Sequence, residues 1–295
     1  MDKKKHLLAP GHTACAGCGL SMGARMVVDA AGPNTMIANC TGCLEVFTTR
    51  YPQSAWEVPW IHSLFENSSA VGAGIEAALK AMGRDQEIRV IAQGGDGGTA
   101  DIGLQSLSGM FERGHDVLYI CYDNEAYMNT GVQRSSQTPF GTSTSTSPSG
   151  KVSLGNPTRK KNMAKIAVAH EIPYVATATV GFDMDLKNKV KKALSIRGPK
   201  YLHVLVPCPL GWKVESRLTI KIAKKAVTTG LFPLVEWENG KVTNVRKITP
   251  EPVTEYLKMQ GRFKHLFADN DDARAHLAGI QKYADENIET YGLKS

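Results

Sequence analysis

The chain has 295 residues, of which 42% are apolar and 21% charged, with a formal net charge of +7; that length buries one large core or two small ones. No uninterrupted apolar run is long enough to span a bilayer, and the basic start MDKKKHLLAPGH leads into no apolar stretch of the secretory kind. The expectation is a cytoplasmic protein without membrane contact, in a reducing compartment where six cysteines point to metal or redox chemistry rather than to disulfides.

In chain order, HTACAGCG (12–19) carries one CxxC, Cys15 and Cys18. NTMIANC (34–40) reads as a buried strand that runs into a second CxxC, Cys40 and Cys43. SAVGAGIEAALKAMG (69–83) has helical spacing, IRVIAQ (88–93) is an apolar strand, and GGDGGTADIG (94–103) is the loop after it. DIGLQSLSGMFERG (101–114) is a helix, DVLYICYDN (116–124) a strand, and DNEAYMNTG (123–131) the next loop. QTPFGTSTSTSPSGK (137–151) is low in complexity and reads as an exposed loop. NMAKIAVAHE (162–171) and DMDLKNKVKKALS (183–195) are helices separated by the strand YVATATV (174–180). The strand YLHVLVPC (201–208) and the loop PLGW (209–212) follow. FPLVEWENGKV (232–242) reads as a hairpin about Asn239-Gly240, with a helical tail after it.

Strands alternating with helices of this length indicate an α/β fold: a mostly parallel sheet with helices on both faces. Residues 1–225 form the expected α/β domain, and 226–295 a C-terminal extension of hairpin plus helices, packed on that domain or on a partner subunit. Ligands of such sheets bind at the carboxyl ends of strands, so the loops at 94–103, 123–131 and 209–212 are the places to search. Between Arg159 and Lys225 basic residues outnumber acidic ones by about four to one. Without interleaved aromatics they read first as solvated helix faces, and next as a surface for an acidic or phosphate-bearing partner.

Gly95, Gly97 and Gly98 flank Asp96 between a strand and a helix. Glycine lets backbone N–H groups approach phosphate oxygens, and one carboxylate offers magnesium a hard ligand. Alone, this is equally a glycine-rich turn with Asp96 as a helix cap. The next strand, however, ends at Asn124, so the Asn124 side chain and the Ala126 carbonyl would stand beside Asp96. The pair resembles the GDG…N signature of thiamine-diphosphate enzymes, in which the aspartate, the asparagine and a carbonyl two residues on hold magnesium.

By spacing, Cys15, Cys18, Cys40 and Cys43 fit a structural zinc site. A four-iron cluster, with a CxxC and remote cysteines, fits equally, and Cys208 between two prolines is a candidate for it. GHTACAGCG, NCTGC, GDGGTADIG, the run from DNEAYMNTG to SPSGK, and PCPLGW occur in the same order in the β subunits of pyruvate:ferredoxin oxidoreductases. The chain resembles the multi-subunit form of that 2-oxoacid:ferredoxin oxidoreductase family from about residue 8 to 215. The resemblance implies a thiamine-diphosphate (diphosphate-domain) fold holding thiamine diphosphate, Mg2+ and one 4Fe-4S cluster. It assigns the cluster to Cys15, Cys18, Cys43 and Cys208, and the magnesium to Asp96, Asn124 and Ala126. Gly95 to Gly98 then surround the diphosphate, while Asn124, Glu125, Ala126, Tyr127, Met128 and Asn129 wrap the metal and the thiazolium side. Leu20 and Cys43 lie near the cofactor, and Asn129 is the candidate catalytic contact to the 2-oxoacid, against a plain turn before Gly131. Cys40 and Cys121 match no ligand and read as core packing. His12 is either a cluster neighbour or an ordinary loop residue.

The family also implies partners. The catalytic glutamate belongs to a pyrimidine-binding domain, here expected on an α subunit, with γ and ferredoxin-like δ subunits relaying electrons to ferredoxin. The implied reaction takes pyruvate, coenzyme A and oxidised ferredoxin to acetyl-CoA, CO2 and reduced ferredoxin, with no nucleic acid involved. The alternatives are the same chemistry on branched-chain or other 2-oxoacids, or a non-redox thiamine-dependent decarboxylase or synthase with structural zinc. A basic zinc-ribbon protein that binds nucleic acid leaves the GDG…N pair without a role.

Overall fold

The computed structural model describes residues 6–295, so the lysines of the basic start lie outside the described residues. Its strands are β1 (Thr35–Asn39), β2 (Trp60–His62), β3 (Arg89–Gly95), β4 (Val117–Asp123), β5 (Tyr174–Thr179), β6 (Lys200–Leu205), β7 (Val235–Glu238) and β8 (Lys241–Val245). The helices are α1 (Gly19–Ala31), α2 (Cys43–Thr48), α3 (Ser68–Ala81), α4 (Asp96–Ala100), α5 (Leu104–Glu112) and α6 (Met163–Ala169). After them come α7 (Asp183–Ser195), α8 (Pro209–Trp212), α9 (Thr219–Thr228), α10 (Thr254–Leu257) and α11 (Asp271–Thr290). All eight strands form one sheet in the order β2-β1-β3-β4-β6-β5-β7-β8. From β2 to β5 neighbouring strands are parallel; β7 and β8 add an antiparallel edge.

The two-residue period of a strand divides the apolar runs between two cores. In β4, Leu118, Ile120 and Tyr122 face α1 and α7, while Val117, Tyr119 and Cys121 face α3, α5 and α6. Both faces are covered, which is why β4 is apolar almost throughout. Among the described residues no helix is long and apolar enough to cross a membrane.

Sequence reading missed α1, whose start is masked by the CxxC glycines, as well as β2 and α9. The hairpin falls where expected, its turn made by Asn239 at φ 48° and Gly240 at φ 78°. Strands β7 and β8 continue the main sheet, and the helices after them share a core with Leu205, Trp212 and Ile222.

Two expectations need correction. The segment 137–151 is not simply an exposed loop: Gln137, Thr138, Thr142 and Thr144 are buried, and only the tip beyond them reaches solvent. Nor is the basic face of α7 wholly solvated. Lys189 is buried, its ammonium donating to the Thr177 carbonyl and Asp185 at 2.9 and 2.8 Å. Lys200 is buried as well, paired with Asp116.

Candidate active site

Strands β3, β4 and β6 are neighbours, and their carboxyl ends are level: Gly95 pairs with Tyr122, and Asp123 with Leu205. The loops that begin at Asp96, Asn124 and Val206 therefore leave the sheet side by side. Chain order alone does not produce this arrangement, because β6 enters between β4 and the earlier strand β5.

Asp96 opens α4 and is fully buried. Burial, and then the charge of Asp123, push its carboxyl well above the usual range, although Ser135 Oγ donates to it. The terminal amide atom of Asn124 lies 3.0 Å from Asp96 Oδ1 and 2.8 Å from the Ala126 carbonyl oxygen. With the amide oxygen in that place three acceptors converge; with the nitrogen there, two hydrogen bonds form. The spacing suits a cation: octahedral magnesium with bonds of about 2.0–2.1 Å sets adjacent oxygens roughly 2.8–3.0 Å apart. A divalent ion would also relieve the buried Asp96 carboxylate. The donor set thus fits magnesium.

Around these oxygens, the Tyr127 ring lies against Gly97, and its phenol donates to Asp101 at 2.7 Å. Met128 sulfur packs on Gly211, beside Cys208. Asn129 stands exposed at the rim with Thr130. Glu125 differs from its neighbours, because its carboxylate turns away into a buried pair with Lys160 and Arg262. Leu20 is buried in the core beneath α1.

The CxxC loop is docked onto the segment after β6. Gly19 N–H donates to the Pro207 carbonyl at 3.1 Å, and Thr219 Oγ1 donates to the Gly17 carbonyl at 2.6 Å. Approach is so close that a Cβ on Gly19 would lie 2.6 Å from the Pro207 oxygen. This brings Cys15 and Cys18 to Cys208, while α2 begins at Cys43 close by. The Cys43 thiol is pushed up to about 12 by burial and then by Cys208, Cys18, Cys15 and Asp96. Cys208 in turn is raised by burial, Cys18 and Cys15.

Cys40 stands apart, buried, with its thiol on Ser68 Oγ at 2.9 Å. Cys121 is buried mid-strand. The four-cysteine zinc set that includes Cys40 is therefore not assembled. Among the described residues no three His, Cys, Asp or Glu side chains close around a single ion. Cys18, Cys43 and Cys208 are half-buried and Cys15 is exposed; burial and crowding disfavour the thiolates of the first three, and iron, which binds thiolate, would relieve that cost. His12 is a loop residue here, with its ring 5.6 Å from Phe47 and Nε2 3.4 Å from Arg25.

Beneath the Asn124 turn lies a buried charge cluster that sequence reading missed. Lys160 pairs with Asp123 and Glu125, Arg262 with Glu125, and His203 Nε2 with Asp123 at 2.8 Å. Burial pushes the Asp123 carboxyl up, but Lys160 and His203 outweigh it and hold it below the usual range. Ser135 was missed too. Nothing in QRSSQT or TRKKN distinguishes these side chains from solvated ones; they are found only by their long-range partners.

The profile described as thiamine pyrophosphate enzyme, C-terminal TPP binding domain, matches residues 40–204. The chain is 55% identical over 291 residues to the pyruvate synthase subunit PorB of Methanosarcina barkeri, covering 98% of each. It is 48% identical over 271 residues to the ketoisovalerate oxidoreductase subunit VorB of Pyrococcus furiosus, covering 89% of this chain and 86% of that one. Its fold is similar to a chain of the 2-oxoglutarate:ferredoxin oxidoreductase of Magnetococcus marinus, at a TM-score of 0.59 and 19% identity, covering 93% of this chain and 96% of that one. The chain belongs to the thiamine pyrophosphate enzymes, and within them to the β subunits of the 2-oxoacid:ferredoxin oxidoreductase family.

Proposed function

We propose that the chain is the subunit of a pyruvate synthase that holds thiamine diphosphate, Mg2+ and the proximal 4Fe-4S cluster. The observation that carries this is one juxtaposition: the Asp96 carboxylate, the Asn124 amide and the Ala126 carbonyl converge beside Cys15, Cys18, Cys43 and Cys208 at the exits of β3, β4 and β6. Asp96, Asn124 and the Ala126 carbonyl hold the cation. The Gly95–Gly98 backbone faces the diphosphate, with Tyr127 covering Gly97. Cys15, Cys18, Cys43 and Cys208 hold the cluster. When bound, thiamine diphosphate supplies carbanion stabilisation and the cluster a one-electron relay. Asn129, exposed at the rim, is placed to orient the 2-oxoacid by hydrogen bonding.

Residues 1–225 act as the cofactor unit and 226–295 as its brace. The rest of the site, including the glutamate that activates the aminopyrimidine, comes from an α subunit. Further γ and ferredoxin-like δ subunits pass electrons to ferredoxin, and coenzyme A takes the acyl group. Pyruvate is favoured because several relatives at 50–55% identity are named pyruvate synthase subunits. A second reading, a branched-chain 2-oxoacid, is supported by the ketoisovalerate oxidoreductase subunits at 48%.

The test is the assembled complex, purified without oxygen and assayed for coenzyme A-dependent ferredoxin reduction with pyruvate, 2-oxoisovalerate and 2-oxoglutarate. Pyruvate should be used fastest, with iron and sulfide in equal amounts. Zinc without iron overturns the cluster assignment, and a preference for another oxoacid overturns the substrate.

A further inference from the structure

The turn that carries the Asn124 and Ala126 oxygens is bent at Glu125, which takes φ 71°. A non-glycine residue in that region costs about 1–3 kcal/mol and persists only where its surroundings dictate it. Here they do. Glu125 N–H donates to Asp123 Oδ1 at 2.9 Å, and its carbonyl accepts from Thr138 Oγ1 at 2.8 Å. Its buried carboxylate takes Lys160 at 2.8 Å on one oxygen and Arg262 on the other.

Arg262 comes from the 3-10 helix Gly261–Phe267, well inside the C-terminal extension. It is almost wholly buried, and its guanidinium lies 4.0 Å from the ring centre of Trp212. Trp212 belongs to α8, the turn that follows Cys208, and its indole N–H donates to the Asn124 carbonyl at 2.8 Å. One guanidinium thus grips both sides of the metal turn: directly through Glu125, and through the indole through Asn124. The same indole joins that turn to the segment bearing Cys208.

We propose that Arg262 is a positioning residue, which presets the Asn124 and Ala126 oxygens for the cation and locks the Cys208 segment to them through Trp212. The proposal rests on the magnesium–thiamine diphosphate reading above. It gives the C-terminal extension a role in the chemistry although it supplies none of the proposed ligands. Arginine suits this task because its planar fork can pair with a carboxylate along one edge while its face stacks on an aromatic ring; lysine can do the first but not both.

The experiment uses the assembled complex stripped of magnesium by a chelator and titrated with Mg2+ in excess thiamine diphosphate, binding being read by calorimetry. Melting temperature and iron content are measured alongside. Arg262→Met should raise the half-saturating Mg2+ concentration on the order of 10–100-fold, the usual effect of losing an outer-shell partner. Arg262→Lys should fall between, and Trp212→Phe, which keeps an aromatic face but loses the N–H donor, should also weaken binding. A merely structural arginine would lower the melting temperature and leave half-saturation unchanged. Should Arg262→Met not assemble, Arg262→Lys and Trp212→Phe carry the comparison. Asp96→Ala is the control for the reading beneath: if it binds like wild type, the metal assignment is wrong and the proposal falls with it. If Asp96→Ala loses binding while the other variants match wild type, the positioning role alone is overturned.

Discussion

The dock between the CxxC loop and the exit of β6 can be tested with a single methyl group. In Gly19→Ala the new Cβ would lie 2.6 Å from the Pro207 carbonyl oxygen and 2.8 Å from Pro207 N, both backbone atoms without a rotamer to escape into. Ordinary contact at such a methyl begins at 3.4 Å, so the two backbones must part by roughly 0.8 Å. The Gly19 N–H to Pro207 bond, now 3.1 Å, then stretches past hydrogen-bonding range. Crowding of this kind costs about 1–3 kcal/mol and the lost bond about 0.5–1.5 kcal/mol, against about 0.5–1 kcal/mol returned by the stiffer unfolded chain. The net loss is on the order of 2 kcal/mol, concentrated where Cys18 meets Cys208. Oxygen-free complex carrying Gly19→Ala should melt earlier than wild type and hold less iron. Gly74→Ala, which meets nothing within 4 Å on α3, is the control for adding a methyl: it should leave iron unchanged and, as an exposed helix-interior glycine, melt no earlier than wild type. Wild-type melting and iron content in Gly19→Ala would refute the reasoning.

Other outcomes follow from the same geometry. Cys40→Ser should keep iron, because its thiol contacts Ser68 rather than the other thiols, whereas Cys43→Ser should lose it; the reverse result restores the zinc-type pairing of the two CxxC motifs. At the opposite end of the sheet, burial pushes the Asp116 carboxyl up, but Lys200 and Arg197 outweigh it and hold it below the usual range. Such a group stabilises the fold above its unfolded pKa, near ~3.9, and that contribution is lost as pH falls through the lower folded value. Asp116→Asn strands the buried Lys200 ammonium and should cost about 3–5 kcal/mol at neutral pH. Denaturation of the complex should show this gap closing below about pH 4; a gap that persists in acid contradicts the pairing.

What the sequence revealed was local. Apolar runs gave β1, β3, β4, β5 and β6, and the βα alternation made Asp96 and Asn124 neighbours, because consecutive parallel strands usually lie side by side. From the residues alone Cys208 was legible only as a strand end; its grouping with Cys15, Cys18 and Cys43 came from the family resemblance. Its approach to Cys43 depends on β6 entering between β4 and β5, an exception to sequential adjacency that no spacing encodes. Charged residues were misread for a related reason. Lys160, Lys189 and Lys200 look like solvent residues in a basic half, yet Lys189 and Lys200 are buried and Lys160 is half-buried, each against a carboxylate. Arg262 had no signal at all, since Glu125 is more than a hundred residues away in sequence and only tertiary packing introduces them.

The insertion of β6 also orders events in time. Cys15, Cys18 and Cys43 are synthesised early, yet Cys208 can join them only after β5 and α7 have been made and the chain has doubled back into the gap beside β4. Arg262 arrives later still, so a chain stopped short of it carries every cysteine and the three proposed magnesium ligands in its sequence without the contact that Arg262 makes to the Asn124 turn. On the reading proposed above, the complete donor set exists only once nearly the whole chain has been made, and a truncated chain presents an incomplete one.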